Sequence, residues 1–504
     1  MKHPTPPPTS THQPAQFSPN DVSTALNTQL VTTRWGDSIT QPNNSPFTQI
    51  TTDSRVAQKG ALFIAIVGET HDGHQFIQSA IDQGATGALV SKKYWKEHAV
   101  NYDKATNTTF WIVDETLEAF RTLAAVYRKR FKIPVIVVAG SVGKTTTKEL
   151  LFSCLSGKWP GKVLKTRASQ NGFLGIPMTL FSLTAEHEAA VIEVGIDEPG
   201  TMKQHLLTVN PTHAVLTTIG PEHLEKLLTI ETVAREEFLA LSITALSGGV
   251  IAVNLSDPYI APKLHLLPKS NRLTYQFSPD TENQSTFAEL VASGQKQTIS
   301  FKWLNSETAP FSLNCPLPGD HNSLNLTAAV AVSLQLGLTP LEIKAGLETF
   351  QNVGGRSEIN DMSQAGKPKV RFFCDYYNAN PSSMIASFKM AKNNQKSPQI
   401  GQFILCLGDM LELGQDEIKF HEELAEPIET LSPKLVLLYG ERMKALQAKL
   451  NQKVPSRHFE SHAELAAALL ASLSENDNVI IKGSRGMKME TIWQKCREWY
   501  GLEK

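Results

Sequence analysis

The sequence predicts an α/β protein of three domains. Three observations carry that prediction: the chain's length, a recurring alternation of apolar runs with helical patterns, and a glycine-rich turn set between a strand and a helix. The chain has 504 residues, enough for about two to four domains with sizeable cores. The alternation is the pattern of mostly parallel sheets flanked by helices. The turn, Gly140-Ser141-Val142-Gly143-Lys144-Thr145-Thr146-Thr147, follows the apolar run 135–139. That context marks a phosphate-binding loop in a central sheet. No short-period internal repeat is apparent.

Each element has its own reason. Residues 1–16 are rich in Pro, Thr, Ser and Gln and lack the apolar core of a signal peptide, so they read as a disordered extension. Order is expected from Ser18-Pro19, an N-cap followed by a first helical residue. In the first domain, 17–130, a strand is expected at 61–67, a helix at 75–83 and a further strand from Leu89-Val90. The second, 131–352, opens at Lys132-Ile133-Pro134 with the loop's strand and continues as a helix over 148–155. Further apolar runs lie at 189–194, 214–218 and 250–253. The stretch 269–313 is more β-rich and less regular, as an antiparallel extension would be. Asn352-Val353-Gly354-Gly355-Arg356 then punctuates the chain. The third domain, 353–504, repeats the α/β pattern in Rossmann-like fashion, with strands near 370–374, 403–407, 435–439 and 478–481.

Composition excludes several classes. The formal net charge is -1, so no global basic field points to nucleic acid. No run of 18 apolar residues appears, which argues against membrane insertion. The five cysteines are odd in number, scattered and form no CxxC pair. They read as buried thiols in a reducing compartment, without structural zinc.

The chemistry begins at the glycine turn. Its backbone N–H groups and the helix N-terminus suit phosphate oxygens. Lys144 can reach terminal phosphates, and the Thr145 hydroxyl can coordinate the accompanying magnesium. The full loop pattern asks for glycine where Val138 stands, so a plain strand-to-helix turn is the alternative. Glu193 ends a strand at the edge where α/β sheets bind ligands; it suits a metal or is a surface carboxylate. His223, in the turn after run 214–218, is either presented at the same edge or a satisfied structural histidine. Asn171 sits in a loop and, by composition, is a turn residue. Asn322 and Asn325 share one helical face. Their spacing fits an adenine edge and N-capping equally.

These residues resemble the Mur peptide ligases, over roughly 17–504. The N-terminal resemblance lies in Thr52-Asp53-Ser54-Arg55, Gly60-Ala61-Leu62-Phe63 and Gly68-Glu69-Thr70-His71-Asp72-Gly73-His74. It implies that 17–130 binds the UDP-sugar end of the substrate, with Asp53, Ser54 and Arg55 at that site. The family's ATP loop also lacks the early glycine. The resemblance assigns Gly140, Ser141, Gly143, Lys144, Thr145, Thr146, Asn171, Asn322 and Asn325 to the nucleotide. It assigns Thr145, Glu193 and His223 to magnesium (Mg2+), and Arg356 to the phosphates on domain closure.

Three C-terminal motifs resemble the branch that adds D-alanyl-D-alanine. They are Asp375-Tyr376-Tyr377-Asn378-Ala379-Asn380-Pro381, with Tyr376 where Ser is usual, Gly408-Asp409-Met410-Leu411-Glu412-Leu413-Gly414, and Lys482-Gly483-Ser484-Arg485-Gly486-Met487-Lys488-Met489-Glu490. The resemblance places Asp375 with the nucleotide, and Asn378, Asn380, Lys482, Ser484 and Arg485 with the substrate. One departure matters. The family usually carries a carbamylated lysine fourteen residues after the histidine; here that position is Glu237, whose carboxylate would bind the second magnesium directly.

The implied activity is an ATP-dependent amide ligation through an acyl phosphate. It joins UDP-N-acetylmuramoyl-tripeptide to D-alanyl-D-alanine in peptidoglycan precursor synthesis, as a cytoplasmic monomer. Lys144, His223, Glu193 and Arg356 would be its catalytic groups. The rivals are a Mur-type ligase adding a single amino acid, and a nucleotide-binding relative that has lost ligation.

Overall fold

The chain enters its fold through a capped helix. The Ser18 side chain accepts a hydrogen bond from the Asp21 N–H, and Asp21 reciprocates at the Ser18 backbone, a capping box that starts helix Pro19–Leu26 as expected. In the computed structural model the described residues are 17–27, 31–32, 45–68, 71–99, 108–278, 290–293, 298–304, 307–395, 401–450 and 453–502. The expected extension 1–16 lies outside them, as do Glu69 and Thr70 of the N-terminal motif.

Three sheets organise the chain. The first contains β1 (Val31–Thr32), β2 (Gln49–Thr51), β3 (Ala61–Ile64), β4 (Gly87–Ser91) and β5 (Thr109–Val113) in the order β1-β5-β4-β3-β2. It is parallel except for β1. Strand β3 ends three residues earlier than expected. The helix expected at 75–83 opens as a 3-10 turn, Gly73–Phe76, before the α-helix Ile77–Asp82.

The second sheet contains β6 (Val135–Ala139), β7 (Val163–Lys165), β8 (Ala189–Glu193), β9 (His213–Leu216), β10 (Val250–Asn254), β11 (Arg272–Ser278), β12 (Leu290–Ser293), β13 (Thr298–Trp303) and β14 (Phe311–Asn314). Their order is β14-β13-β12-β11-β10-β9-β6-β8-β7. The expected antiparallel extension is only half right. Strands β10, β11 and β12 still pair in parallel, and the direction reverses only at β13 and β14. All five residues of β6 and of β8 are buried, which is why both read as continuous apolar runs.

The third sheet contains β15 (Glu358–Met362), β16 (Val370–Cys374), β17 (Phe403–Gly408), β18 (Leu435–Tyr439), β19 (Ser456–Phe459) and β20 (Asn478–Lys482), ordered β15-β16-β20-β17-β18-β19. Only the β15–β16 pair is antiparallel. Alternate residues face two cores. Phe373, Leu405 and Ile480 pack on one side, and Phe372, Ile404 and Val479 on the other. The carboxyl ends of β16, β17 and β20 carry the three C-terminal motifs, where α/β sheets place their ligands.

By contacts the chain divides into two compact units. One comprises 1–137, 161–194 and 203–212; the other comprises 138–160, 195–202 and 213–504. No helix among the described residues is long and apolar enough to cross a membrane.

Candidate functional site

The glycine turn after β6 leads directly into helix Lys144–Lys158, one turn earlier than expected. The threonine-rich start disguised that turn, because β-branched residues are weak helix formers. Gly143 precedes the helix at φ 93°, a conformation that favours glycine. A Cβ there would also lie 2.4 Å from Asn325 Oδ1. The helix's first turn presents N–H groups that no intrahelical carbonyl can take. Ser141 Oγ is buried without a hydrogen-bond partner. A buried hydroxyl left this way is costly unless a ligand completes it.

Lys144 is held by its own surroundings. Its Nζ donates to the Gly140 carbonyl at 2.5 Å and to both oxygens of Glu222 at 3.3 and 3.2 Å. Glu222 is a partner that sequence reasoning missed. Its only signal was an acidic residue adjoining His223 in a loop after a strand. That loop is braced from several sides. The Ser141 and Val142 N–H groups donate to the Thr218 carbonyl. Asn254 Nδ2 donates to the Thr217 carbonyl, and Asp257 accepts from the Ile219 N–H at 2.8 Å.

Glu237 lies on helix Ile230–Leu246 and is fully buried. Its Oε2 accepts from the Gly140 N–H at 2.7 Å, whereas Oε1 has no partner. Burial pushes its pKa up to about 8, against the opposing pull of Lys144. One oxygen of Glu237, expected at the second magnesium, thus holds the phosphate-binding loop, and the other is open.

His223 stands at φ 50° before the short helix Leu224–Leu227. Its Nδ1 pairs with Glu412 Oε2 at 2.5 Å. Burial opposes its charge, but Glu412 and Glu222 raise its pKa above the usual value, and the same bond lowers that of Glu412. Glu412 belongs to the Gly408–Gly414 motif, which thus reaches the helix that follows His223. In the other unit, Glu193 is buried at the end of β8 and accepts from Asn171 Nδ2 at 2.8 Å. Asn171 is therefore more than a turn residue. Among the described residues no three His, Cys, Asp or Glu side chains gather as a set able to hold a metal ion. His223 is drawn to Glu412 and Glu237 to Gly140.

Asn322 and Asn325 are buried in the first turns of helix Asp320–Gln335, whose N-cap is Gly319. This removes the N-capping reading. Asn322 Nδ2 donates to the Pro318 carbonyl at 2.7 Å, and Asn325 lies against Gly143.

The C-terminal motif residues are mostly engaged with one another. Lys482 is buried and donates to Asp375 Oδ2 at 2.6 Å, the Asp375 carbonyl at 3.2 Å and the Asn378 carbonyl at 3.0 Å. That uses all three of its protons. Ser484 donates to the Ala379 carbonyl and accepts from the Leu411 N–H. Asn380 caps helix Pro381–Asn393 by accepting from the Ser383 N–H. Asp375 also accepts from the Ser357 N–H and the Ser387 hydroxyl. Lys482, Ser484 and Asn380, expected at the substrate, thus also build the loops that carry the motifs. Asn378 and Arg485 remain exposed. Arg356 stacks on Tyr377, its guanidinium 4.0 Å from the ring centroid.

In the first unit, Asp53 caps the 3-10 turn Ser54–Val56, where Ser54 is buried. It also takes the Arg55 guanidinium in a two-point bond at 2.9 and 2.7 Å. Arg55 itself is largely exposed.

Comparison with known proteins agrees with this arrangement. Residues 46–132 match the model of the Mur ligase family catalytic domain, 138–333 the Mur ligase middle domain, and 339–485 the glutamate ligase domain of Mur ligases. UDP-N-acetylmuramoyl-tripeptide--D-alanyl-D-alanine ligase of Bacillus subtilis (strain 168) is 29% identical over 447 residues, 88% of this chain and 92% of that one. The enzyme of that name from Escherichia coli (strain K12) is 29% identical over 457 residues, 89% and 93% of the two chains. A crystal structure of MurF from Acinetobacter baumannii superposes with a TM-score of 0.80 at 27% identity, covering 96% of this chain and all of that one. Three family models in sequence, near-full-length relatives and a shared fold lead to one conclusion: the chain belongs to the Mur ligase family.

Proposed function

We propose that this protein is the ligase that joins D-alanyl-D-alanine to UDP-N-acetylmuramoyl-tripeptide, consuming ATP in peptidoglycan precursor synthesis. The observation that carries the nucleotide part is the 140–147 loop. A partnerless buried Ser141 hydroxyl, a helix N-terminus and a lysine resting on a carboxylate together ask for a phosphate. The substrate part rests on the relatives named above.

The tripeptide's terminal carboxylate attacks the γ-phosphate of ATP, ADP leaves, and the dipeptide amine displaces phosphate from the acyl phosphate. Two anions meet in the first step. Lys144 leaves Glu222 for the phosphates and offsets that repulsion. Arg356 adds a second cation. Asn171 holds the Glu193 carboxylate in place, and Glu237 fixes the start of the loop through Gly140. Magnesium, when bound, would supply positive charge against the phosphates. The residues assigned to it are Thr145, His223, Glu193 and Glu237. The open Oε1 of Glu237 is a hard oxygen donor of the kind that ion takes, although these side chains are not gathered as one set among the described residues. The three segments 17–130, 131–352 and 353–504 are taken as the UDP-sugar, ATP and ligase domains, working as a monomer in the cytoplasm.

The test is phosphate release from ATP with UDP-muramoyl tripeptide, with and without D-alanyl-D-alanine, followed by the product's mass. Release that needs the dipeptide and yields a pentapeptide product is expected. Release driven by a single amino acid selects the other Mur-type ligation, and no release selects the inactive relative.

A further inference from the structure

Tyr377 stands in a C-terminal motif without a task in the mechanism above. Two cations gather at its ring. The Arg356 guanidinium lies 4.0 Å from the ring centroid and that of Arg485 lies 5.3 Å from it. We propose that Tyr377 is a positioning residue of the ligation, whose ring holds Arg356 and Arg485 together as a receptor for an oxyanion of the reactants. The inference rests on the ligase reading.

The two arginines are poorly matched within the chain. Arg356 Nε is buried without a partner. Its guanidinium makes no hydrogen bond or ion pair with any described residue and rests on the aromatic face. Arg356 as a whole is half-buried, and a partly desolvated cation without a partner favours an anion beside it. Arg485 has one, Glu490 at 3.1 Å, but that pair is exposed and weak, so an incoming oxyanion can replace it. Two guanidiniums at one ring also repel each other, and an anion among them removes the repulsion.

The ring's position is fixed by the surrounding backbone. The Tyr377 N–H donates to the Gly355 carbonyl at 3.0 Å, and Ser357 N–H donates to Asp375 at 3.1 Å. The backbone on both sides of Arg356 is thereby tied to the loop that carries the ring. Gly355 permits the approach, since a Cβ there would lie 2.5 Å from the Tyr376 ring. Lys482 anchors the same loop through Asp375 and Asn378. The arrangement is preorganised before any ligand arrives, which lowers the cost of binding.

The oxyanion is either the nucleotide's terminal phosphate or the carboxylate of the incoming dipeptide, and kinetics separates them. Full-length wild type, Tyr377→Phe, Tyr377→Leu and Arg356→Lys are compared with ATP, tripeptide, and either D-alanyl-D-alanine or its C-terminal amide. Tyr377→Phe keeps the ring and should stay within about twofold of wild type. Tyr377→Leu removes it and should raise KM for one or both anionic reactants about 3- to 30-fold, the worth of a cation–π contact, at unchanged Tm. Arg356→Lys keeps the charge but loses the planar stack, so it should move the same KM even if the leucine variant folds poorly. A rise for ATP assigns the receptor to phosphate. A rise for the dipeptide, absent with the amide, assigns it to the carboxylate. The proposal is overturned if both KM values stay at wild type, if the loss is confined to kcat, or if Phe fares no better than Leu. Wild-type turnover on D-alanyl-D-alanine tests the ligase reading separately.

Discussion

The loop at 140–147 and the loops at 375–381 and 482–490 are both marked by strong motifs, yet they use their polar groups in opposite ways. In the first, Ser141 Oγ and Glu237 Oε1 are buried without partners, and Lys144 rests on Glu222. In the second, every proton of Lys482 has an acceptor, Ser484 both donates and accepts, and Asn380 caps a helix. A motif marks positions that a fold holds fixed; it does not say whether ligand or loop requires them. Hydrogen-bond accounting does, because buried polar groups left open are expensive unless something fills them. The first region is built to be completed, and much of the second is complete already.

Lys144→Ala should break this comparison most visibly. Turnover should fall about 10²- to 10³-fold, the usual worth of one electrostatic contact at a transition state, with the fold left in place. The check is kcat beside a thermal melt. Turnover above about a tenth of wild type would remove Lys144 from the mechanism. Lys482→Met should do the reverse. It leaves the Asp375 carboxylate without its buried cation, a loss of about 3 kcal/mol or more in stability, measured by urea denaturation. Unchanged stability with a raised substrate KM would return Lys482 to a binding role.

Glu237 stands between the two cases, since one oxygen is used and one is open. Glu237→Gln keeps an acceptor for the Gly140 N–H and removes the charge. If the carboxylate also serves magnesium, turnover should drop several-fold and the half-saturating magnesium concentration should rise, because an amide is a poorer hard-oxygen donor. Turnover measured against magnesium decides. A wild-type curve would leave Glu237 with the loop alone.

Much of this was legible in the sequence. Strands β6, β8, β16, β18 and β20 were plain because strands buried on both faces read as apolar runs. The direction of β11 and β12 was not, because nothing local in a strand records whether its neighbour runs parallel. Lys144, Thr145 and Glu193 were visible as types at the ends of strands. Their partners were not. Glu222 adjoins a residue that drew attention to itself, and Glu412 reaches His223 only through the fold. Charge pairing across distant segments leaves no period to read. The loop-building bonds of Lys482 and Ser484 were hidden for another reason: a loop-building residue and a substrate-binding one share the same polar chemistry.

The smallest expected effect tests the comparison at its finest point. Asn380 belongs to a motif that suggests substrate contact, but its side-chain oxygen accepts from the Ser383 N–H, and its own N–H donates to the Ser383 hydroxyl. With Pro381 in the first turn, this is a complete helix start. Serine caps about as well as asparagine, whereas alanine cannot accept the bond and costs about 1 kcal/mol. Asn380→Ser should therefore keep both melting temperature and turnover, and Asn380→Ala should lose stability first, with activity following only as far as the helix moves. A substrate contact behaves differently, since serine lacks the amide's second polar group and reaches less far. The decisive reading is KM for tripeptide and for dipeptide in Asn380→Ser. If either rises well beyond wild type while the melt is unchanged, Asn380 touches substrate, and the division between the open loop and the completed one must be redrawn at that residue.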